Sequence, residues 1–275
     1  MYIESTDSTN TRLKELIANG EWPETETYLR AGYQTAGRGQ AGNGWESAPG
    51  ENLLCSILLP ARKNLFELNV VAAVAVQRLV TNILHRVPDV NQQSVCGGES
   101  GGTKDFNDDV VVSPCPRLPN AIKWPNDIYW QDKKVAGILV ENAIIGNEIK
   151  YSIAGIGLNV NQIEWQSDAP NPISLKQITG KTYDIEALMQ QLYAEVQKAL
   201  TEDLWDYYKA HLYRREGYWP FVEREVSVAP TMNAHADANA FLAHIEDVLP
   251  TGELVLRDKN NQQRIYHFKQ IRYMI

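Results

Sequence analysis

The chain has 275 residues, of which 44% are hydrophobic and 22% are charged, a balance typical of one large globular domain with room for a small second one. Its formal net charge of −8 argues against sequence-independent nucleic-acid binding, because such binding depends on neutralising phosphates. The N-terminus has no signal-peptide pattern, no uninterrupted apolar run reaches about 20 residues, and the three cysteines lack CxxC spacing, so we expect a reduced, cytoplasmic protein that does not bind membranes.

The first third of the chain predicts a helix, two strands and a second, longer helix. Asp7 or Ser8 can cap the first helix. Strands are predicted over 27–34 and 52–60, the second apolar enough to be buried on both faces. A long apolar helix is predicted over 65–85.

The amino-acid composition changes at residues 86–120, which are rich in Gly, Pro, Ser, Asn and Asp. A connection of this length is unusual in a compact domain, so we expect an insertion outside the core. Its glycine-rich run, 97–104, misses the phosphate-loop pattern because Lys and Thr stand in the reverse order and no buried strand precedes it.

The second half predicts antiparallel strands, two helices and then a small β-rich module. Four strands joined by tight turns are predicted from AIKW, IYW, KVAGILVENAII and IKYSIAGIGLNVN. Helices follow over 185–200 and 203–217. From residue 220 onward apolar and polar residues alternate with a period of two, which predicts the short strands FVEREVSV, FLAHIEDV, GELVLRD and QRIYHFKQI. We expect these strands to form a β-barrel or SH3-like appendage docked on the main body.

The run 37–42 formally matches the GxGxxG pattern of dinucleotide-binding folds. That pattern also requires a helix at the third glycine and an acidic residue about 20 positions later. The sequence instead continues into a turn and a strand, and 57–62 contains no acid. We therefore expect a glycine loop whose N–H groups and Arg38 guanidinium surround an anion.

A second cluster, KWPND at 123–127, places a lysine, an amide and a carboxylate around a proline turn at the end of a strand. Lys134 then enters an otherwise apolar strand and needs an anionic partner, for which a bound carboxylate or phosphate is suitable. Its neighbour Lys133 is expected to be solvated. The alternation of glycine with apolar residues from Gly155 lets a ligand or another backbone approach closely.

Two common classes of catalytic site are not expected. The five histidines are scattered, without HExxH spacing or paired cysteines, so no zinc site is predicted and no metal ligand is assigned. A nucleophile elbow of the α/β-hydrolases is also not expected, because the GxSxG spacing at 98–102 falls in the glycine-rich run that no buried strand precedes.

In this order, five segments resemble the biotin–protein ligase family. They are Ser8-Thr9-Asn10, YQTAGRGQAGNGW (33–45), KWPNDI (123–128), KKVAGILVE (133–141) and GIGLNVNQ (155–162). The resemblance covers about residues 5–217 and implies an α+β fold: a mixed, largely antiparallel sheet flanked by helices, like the class II tRNA-synthetase core, with a C-terminal SH3-like β-barrel. It implies a catalytic domain over 1–219 and a β-domain over 220–275, in the form without an N-terminal DNA-binding domain.

The resemblance implies a two-step, ATP-dependent reaction. Biotin and ATP form biotinyl-5′-AMP and pyrophosphate, and biotin then passes to a lysine of the biotin carboxyl carrier domain of a biotin-dependent carboxylase. A carboxylate that attacks an α-phosphate brings two anions together, so the site needs cations and N–H donors. Mg²⁺ is expected with the nucleotide, DNA is not an expected partner, and both a monomer and a homodimer remain open.

The family pattern assigns roles to residues of this sequence. Catalytic roles fall to Arg38, Lys134 and Asp127, the last orienting or deprotonating the incoming lysine. The residues expected to bind biotin are Ser8, Thr9, Asn10, Gln34, Gly37, Arg38, Gly39, Gln40, Lys134, Gly137 and Gly155. Those expected to bind ATP are Arg38, Trp45, Asn126, Lys134 and Asn159.

Two of these assignments concern shape, and one residue departs from the pattern. Gly137 and Gly155 are expected to leave the sheet bare beneath biotin, and Trp45 to stack on adenine. Gln40 stands where the family usually has an arginine that helps to close the biotin loop. The length of the insertion at 86–120 is also unusual for the family.

Two other functions remain open. A lipoyl or octanoyl transferase shares the fold and also modifies a carrier lysine, but KWPND and the glycine loop followed by Trp45 argue against it. A non-catalytic biotin-nucleotide sensor or repressor is the other; the negative charge argues against a DNA partner for it.

Overall fold

The computed structural model describes residues 1–25, 27–62, 64–87, 120–145, 148–167, 169–224 and 240–275. Over these residues the chain forms twelve strands, five α-helices and one short 3-10 helix (Gln40–Gly42) in an α+β arrangement. The strands are β1 (Tyr2–Thr6), β2 (Tyr28–Gln34), β3 (Leu53–Pro60), β4 (Ala121–Lys123), β5 (Asp127–Trp130), β6 (Lys133–Ile145), β7 (Glu148–Leu158), β8 (Trp219–Glu223), β9 (Ala240–Val248), β10 (Leu254–Asp258), β11 (Gln263–Tyr266) and β12 (Ile271–Tyr273). The helices are α1 (Thr9–Ala18), α2 (Glu67–His85), α3 (Leu175–Thr179), α4 (Ile185–Ala199) and α5 (Trp205–Ala210).

A seven-stranded sheet with the order β1-β2-β3-β7-β6-β5-β4 forms the main body. Only the edge pair β1–β2 is parallel among the described pairs, and the other neighbours run antiparallel. This confirms the predicted mixed, largely antiparallel sheet. The edge strand β1 was not predicted, because a short parallel strand needs a partner that is distant in sequence.

The two faces of this sheet carry different side chains, because successive residues of a strand point to opposite faces. In β3, Leu53, Cys55 and Ile57 all join the main core, which includes the buried residues of α2 and α4. The opposite face carries α1, whose Leu13 packs with Leu29 and Ile153. Alternation places Gly155 and Gly157 of β7 on this second face, beside α1, where part of the sheet is left for a cavity.

Helix α2 is long and apolar enough to cross a membrane by length and composition alone, with a mean hydropathy of 1.3. In the structure 72% of that segment is buried inside the protein. Its buried positions surround the helix, among them Val71, Ala72 and Val74. A helix that is apolar on all sides belongs in a core, and α2 packs between the sheet and α4.

One predicted helix is much shorter in the structure. The expected helix over 203–217 is realised only as α5, which ends at Ala210. Beyond it the backbone pairs with Ile122 of β4: Ile122 N–H donates to His211 O at 2.9 Å, and Tyr213 N–H donates to Ile122 O at 2.8 Å. These bonds draw the chain out of the helix and along the edge of the sheet.

The C-terminal strands form a five-stranded antiparallel sheet with the order β11-β10-β9-β8-β12. The predicted strand QRIYHFKQI is divided into β11 and β12 by a turn in which Gln270 N–H donates to His267 O and Lys269 has φ 75°. Within the described residues β11 and β12 are the sheet's edges, so closure into an SH3-like barrel stays a prediction.

Some predictions fall on residues that the structure does not describe. The expected insertion lies outside the described residues over 88–119, together with Cys96 and Cys115. The second half of the predicted strand FVEREVSV also lies outside them. Cys55 is described and is fully buried in β3, and burial raises the pKa of its thiol to about 12.

The C-terminal sheet docks on the main body through the KWPND turn (residues 123–127) and the residues before α2. Trp124 Nε1 donates to Gly252 O at 3.0 Å, and the Trp124 ring packs edge-on against Phe268 at 6.1 Å. Phe66 packs so tightly against Gly252 that a Cβ atom there would lie 2.5 Å from its ring. The tryptophan of the turn is therefore a structural link between the two sheets.

This contact predicts a specific stability defect. Gly252→Ala should destabilise the protein by about 1–3 kcal/mol more than Gly180→Ala, because the added methyl group overlaps Phe66. Both glycines have positive φ, 103° and 71°, but a Cβ atom at Gly180 meets nothing within 4 Å. Urea unfolding of the two variants separates the packing penalty from the backbone penalty, and equal losses would contradict the docking contact.

Candidate active site

A cavity of about 320 Å³ opens on the face of the main sheet that is opposite α2. Its walls come from the start of α1, the end of β2, the glycine loop (residues 37–45), the KWPND turn, β6, β7 and the C-terminal sheet. Segments that are widely separated in sequence meet here because β6 and β7 are central strands and the two ends of the chain fold over them.

The cavity floor is a pair of glycines that face each other across β6 and β7. Gly137 and Gly157 are cross-strand partners, and the indole of Trp45 lies directly on them. A Cβ atom at Gly157 would lie 2.4 Å from Trp45 Cε2, and one at Gly137 would lie 2.8 Å from Trp45 Cζ3. Only glycine allows the indole to approach the sheet this closely.

The third floor glycine, Gly155, accommodates the amide of Asn10. A Cβ atom at Gly155 would lie 2.5 Å from Asn10 Oδ1. Asn10 is only 3% exposed, its Oδ1 accepts a bond of 2.6 Å from Ser56 Oγ, and its Nδ2 donates to Glu141 Oε2 at 2.7 Å. In this structure the floor glycines therefore contact two side chains, and the position of biotin over Gly137 and Gly155 stays a prediction.

The amide of Gln34 is also held in one orientation. Gln34 Oε1 accepts from the backbone N–H of Thr9 at 2.7 Å and from Thr9 Oγ1 at 3.0 Å. Its Nε2 therefore remains as a donor at the cavity wall. Ser8, at the N-cap of α1, makes no side-chain cap, so its buried hydroxyl is not committed to the helix.

Backbone hydrogen bonds fold the glycine loop back on itself. Gly39 N–H donates to Asn43 O at 2.7 Å, and Trp45 N–H donates to Gly37 O at 2.9 Å. The backbones of Arg38 and Gly44 form an isolated antiparallel β-bridge. The Arg38 guanidinium donates to Thr11 Oγ1 at 2.8 Å and lies 3.8 Å from Glu141. The loop thus holds a half-exposed cation over the mouth of the cavity.

The KWPND turn places Asp127 beside Lys134, with 2.8 Å between Asp127 Oδ1 and Lys134 Nζ. The Lys134 ammonium also lies 5.4 Å from the centre of a Trp45 ring. Asn126 is buried and donates through Nδ2 to the backbone oxygen of Ile138, which ties the turn to β6.

The backbone of Lys134 is clamped from the side away from the cavity. Its N–H donates to Asn171 O at 2.7 Å, and its carbonyl accepts from Ile173 N–H at 3.0 Å and from Asn159 Nδ2 at 3.2 Å. Asn159 also donates to Ile173 O and does not line the cavity. Its observed contacts are those of a residue that supports Lys134, and its contact with ATP stays a prediction.

Lys123 is a largely buried lysine at the cavity wall. Its Nζ donates to Tyr129 OH at 3.2 Å and lies over the rings of Tyr129 and Tyr273. Burial lowers the pKa of this ammonium to about 8, although Asp127 opposes the change. The neighbouring charges of Lys134 and Arg224 lower it further.

The C-terminal sheet and its flanking residues complete the wall. These residues were not predicted, because a β-module at the end of the chain carries no local signal of where it docks; they are Arg224, Phe268, Lys269, Ile271, Arg272 and Tyr273. With Arg38, Lys123 and Lys134 the described lining carries six cationic side chains, against the single carboxylate of Asp127. In a chain of net charge −8 this concentration of positive charge makes the cavity suitable for an anionic ligand.

The structure brings most of the predicted site residues together. All of them line the cavity except Gly37 and Asn159, and Gly37 lies just behind Gln34 and Trp45. Gln40, the departure from the family pattern, is among the lining residues. Sequence reasoning missed Ser56 and Glu141, which reach Asn10 from β3 and β6.

The fold is that of the biotin protein ligases. The structure of a biotin protein ligase from Aquifex aeolicus in complex with biotin and ATP superimposes with a TM-score of 0.69 at 21% sequence identity, over 100% of this chain and 98% of that one. The biotin/lipoate A/B protein ligase family model matches residues 2–159. The chain belongs to this family and is a ligase enzyme.

Curated relatives are similar over most of the chain. A bifunctional ligase/repressor BirA of Bacillus spizizenii is 26% identical over 97% of this chain and 71% of its own length. A biotin–[acetyl-CoA-carboxylase] ligase of Mycobacterium tuberculosis is 27% identical over 73% of this chain and 63% of its own length. The chain spans 50% and 55% of the length of two further relatives.

The contact between the Trp45 indole and the floor glycines can be tested without any ligand. Gly157→Ala should lower the free energy of unfolding by about 1–3 kcal/mol, because its methyl group overlaps the indole. Gly44→Ala is the matched control in the same site, since a Cβ atom there meets nothing within 4 Å. In a Trp45→Ala background the Gly157→Ala penalty should disappear, and its persistence would show that the methyl group clashes elsewhere.

Proposed function

We propose that this chain is an ATP-dependent biotin–protein ligase. It would form biotinyl-5′-AMP from biotin and ATP and then transfer biotin to one lysine of a biotin carboxyl carrier domain. The observation that carries the proposal is the cavity itself, in which two amides of fixed orientation lie beside a cluster of cations. Family membership and the solved complex of a structural neighbour with biotin and ATP support the choice of substrates.

The fixed amides suit the ureido ring of biotin, which carries two N–H donors and one carbonyl acceptor. Asn10 presents Oδ1 at the floor as an acceptor, and Gln34 keeps Nε2 as a donor. Both residues are supported by buried or partly buried hydrogen bonds, so they are oriented before a ligand arrives. A dithiolane ring has no N–H group to offer Asn10, which favours biotin over a lipoyl substrate.

The cations suit the first chemical step. A carboxylate oxygen of biotin attacks the α-phosphorus of ATP, the bond from that phosphorus to the bridging oxygen breaks, and pyrophosphate leaves with the bonding electrons. Two anions meet in this step, so positive charge that is already in place lowers the barrier. Lys134, fixed by its clamped backbone, and Arg38 on the glycine loop would supply that charge.

In the second step the neutral amine of the carrier lysine attacks the carbonyl of the mixed anhydride, and AMP leaves. Asp127 lines the cavity and would orient this amine, with Lys134 holding the carboxylate in place at 2.8 Å. The carrier is proposed from the name of a relative, a biotin–[acetyl-CoA-carboxylase] ligase. A carboxylase carrier domain is therefore the natural acceptor to test.

Magnesium is an expectation of the resemblance, and such an ion is usually bound by one or two carboxylates together with the phosphates of the nucleotide. The described part of the chain holds no group of three or more His, Cys, Asp or Glu side chains that could bind a metal ion. The one carboxylate of the described cavity lining is already paired with Lys134.

We also propose the division of the chain into a catalytic domain over 1–219 and an SH3-like domain over 220–275, in a cytoplasmic enzyme. All five strands of the second sheet lie from Trp219 onward, which supports a boundary near residue 219. The contribution of the second domain to the cavity means that the two domains would act as one enzyme.

The direct test is incubation of the protein with biotin, ATP and a carrier domain, followed by streptavidin detection of the carrier. Pyrophosphate release measured without the carrier isolates the first step. Octanoate and lipoate, added as competitors or as sole substrates, distinguish the lipoyl or octanoyl transferase. Carrier labelling that depends on biotin supports the proposal, and exclusive use of octanoate or lipoate would overturn it.

Lys134→Ala should reduce pyrophosphate release by about 100-fold or more, since it removes a cation placed against developing charge. Lys133→Ala is the matched control, because its side chain is exposed next to Lys134 on the same strand. The thermal midpoint of each variant should stay close to that of the unchanged protein. Near-normal release by Lys134→Ala would remove this residue from the reaction.

We expect the Lys123 amine to take up a proton when the nucleotide binds. Its pKa of about 8 in the free protein leaves it mostly neutral above pH 8. A bound polyphosphate favours the ammonium form and raises this pKa, so ATP binding at pH 8.5 should take up a proton and should weaken as the pH rises through 8. Calorimetry in two buffers of different ionisation enthalpy measures the uptake, which Lys123→Met should abolish and Lys133→Met should leave unchanged.

A further inference from the structure

Glu141 is the last residue of the KKVAGILVE segment, and neither the reaction chemistry nor the resemblance gives it a role. Alternation along β6 places it on the same face as Gly137, the face that carries the cavity. Its carboxylate is 23% exposed and lies beneath the start of α1. It is therefore an acidic group placed directly behind an otherwise cationic site.

The two carboxylate oxygens of Glu141 have different partners. Oε2 accepts from Asn10 Nδ2 at 2.7 Å and lies 3.8 Å from Arg38. Oε1 accepts from Lys14 Nζ at 2.7 Å. Partial burial by itself raises the pKa of Glu141, but the hydrogen bonds from Lys14 and Asn10 outweigh it and lower the pKa, so the group is ionised at neutral pH.

An ionised carboxylate can only accept hydrogen bonds, and this property determines which way the Asn10 amide faces. Nδ2 must point to Glu141 and to the Leu139 carbonyl at 3.3 Å, so Oδ1 must point to Ser56 and over Gly155. Of the two acceptors Glu141 is the nearer and the charged one, and hydrogen bonds to charged groups are the stronger kind. Without it, the reversed amide would present a donor to the cavity.

We propose that Glu141 is a positioning residue for biotin, acting through Asn10 by holding the acceptor oxygen of that amide over the cavity floor. This inference rests on the proposed function, because biotin is the ligand whose N–H groups need an acceptor there. Glu141 does not line the cavity and touches no reacting atom. Its main effect is on the affinity for the ureido ring, because its nearest contact in the cavity wall is Asn10 at 2.7 Å, whereas Arg38 lies 3.8 Å away.

The test is a double-mutant cycle on biotin binding, measured by calorimetry without ATP. Glu141→Ala and Asn10→Ala should each weaken biotin binding by about tenfold or more, since the second removes the amide and the first removes the charged acceptor that orients it. In the Asn10→Ala background, Glu141→Ala should cause less than about a twofold further loss, because its effect passes through the missing amide. If the double variant loses affinity by the product of the two single fold-losses, the proposal is overturned.

Two further variants separate positioning from a general structural role. Lys14→Ala removes the other partner of Glu141 and should change biotin affinity by less than about threefold, because the hydrogen bond from Asn10 to Glu141 remains. Glu141→Gln keeps an acceptor but allows either amide orientation, so its loss should lie between those of the unchanged protein and Glu141→Ala. ATP binding, measured separately, should weaken less than biotin binding in every Glu141 variant, since only the more distant Arg38 connects Glu141 to the nucleotide.

If Glu141→Ala does not fold, as judged by its thermal midpoint, the cycle is run with Glu141→Gln. A smaller but non-additive loss would support the proposal, and affinity equal to that of the unchanged protein would overturn it. Failure of the unchanged protein to bind biotin would overturn the proposed function and this inference together. Normal biotin binding with an additive cycle would overturn the inference alone.

Discussion

The site depends on the lack of side chains at three neighbouring positions on one face of the main sheet. At Gly137, Gly155 and Gly157 the backbone of β6 and β7 is open to contact, and Trp45 and Asn10 occupy the space within 3 Å of where a Cβ atom would be. The other face of the same strands is filled by the apolar core around α2. Because side chains alternate along a strand, one pattern produces a packed face and an open face.

The KWPND turn both lines the cavity and contacts the C-terminal region. Its lysine and carboxylate face the cavity, while Trp124 bonds to Gly252 of the C-terminal region. A change in how the C-terminal sheet docks would therefore move the same turn that holds Asp127 against Lys134. This arrangement explains how cations from the far end of the chain reach a cavity whose floor is in the middle of the sequence.

The predictions from sequence succeeded where the signal was local. Hydrophobic periodicity located α1, α2, α4 and most strands, and a lysine in an apolar strand marked Lys134 correctly as a cavity residue. They failed where a partner distant in sequence decides the outcome. The pairing of Ile122 with the chain after α5 shortened a helix, and the bond from Asn10 to Glu141 joins residues 131 positions apart. No local pattern encodes either contact.

The pairing of β3 with β7 has a consequence for how the chain tolerates changes in length. Leu53 faces Leu158, so this contact closes a segment of roughly 100 residues, and residues 88–119 lie wholly within it. The entropy of closing a loop grows only with the logarithm of its length, so those residues add about 0.3 kcal/mol to the closure. A change in the number of residues between these two strands should therefore alter the free energy of forming the central sheet only slightly.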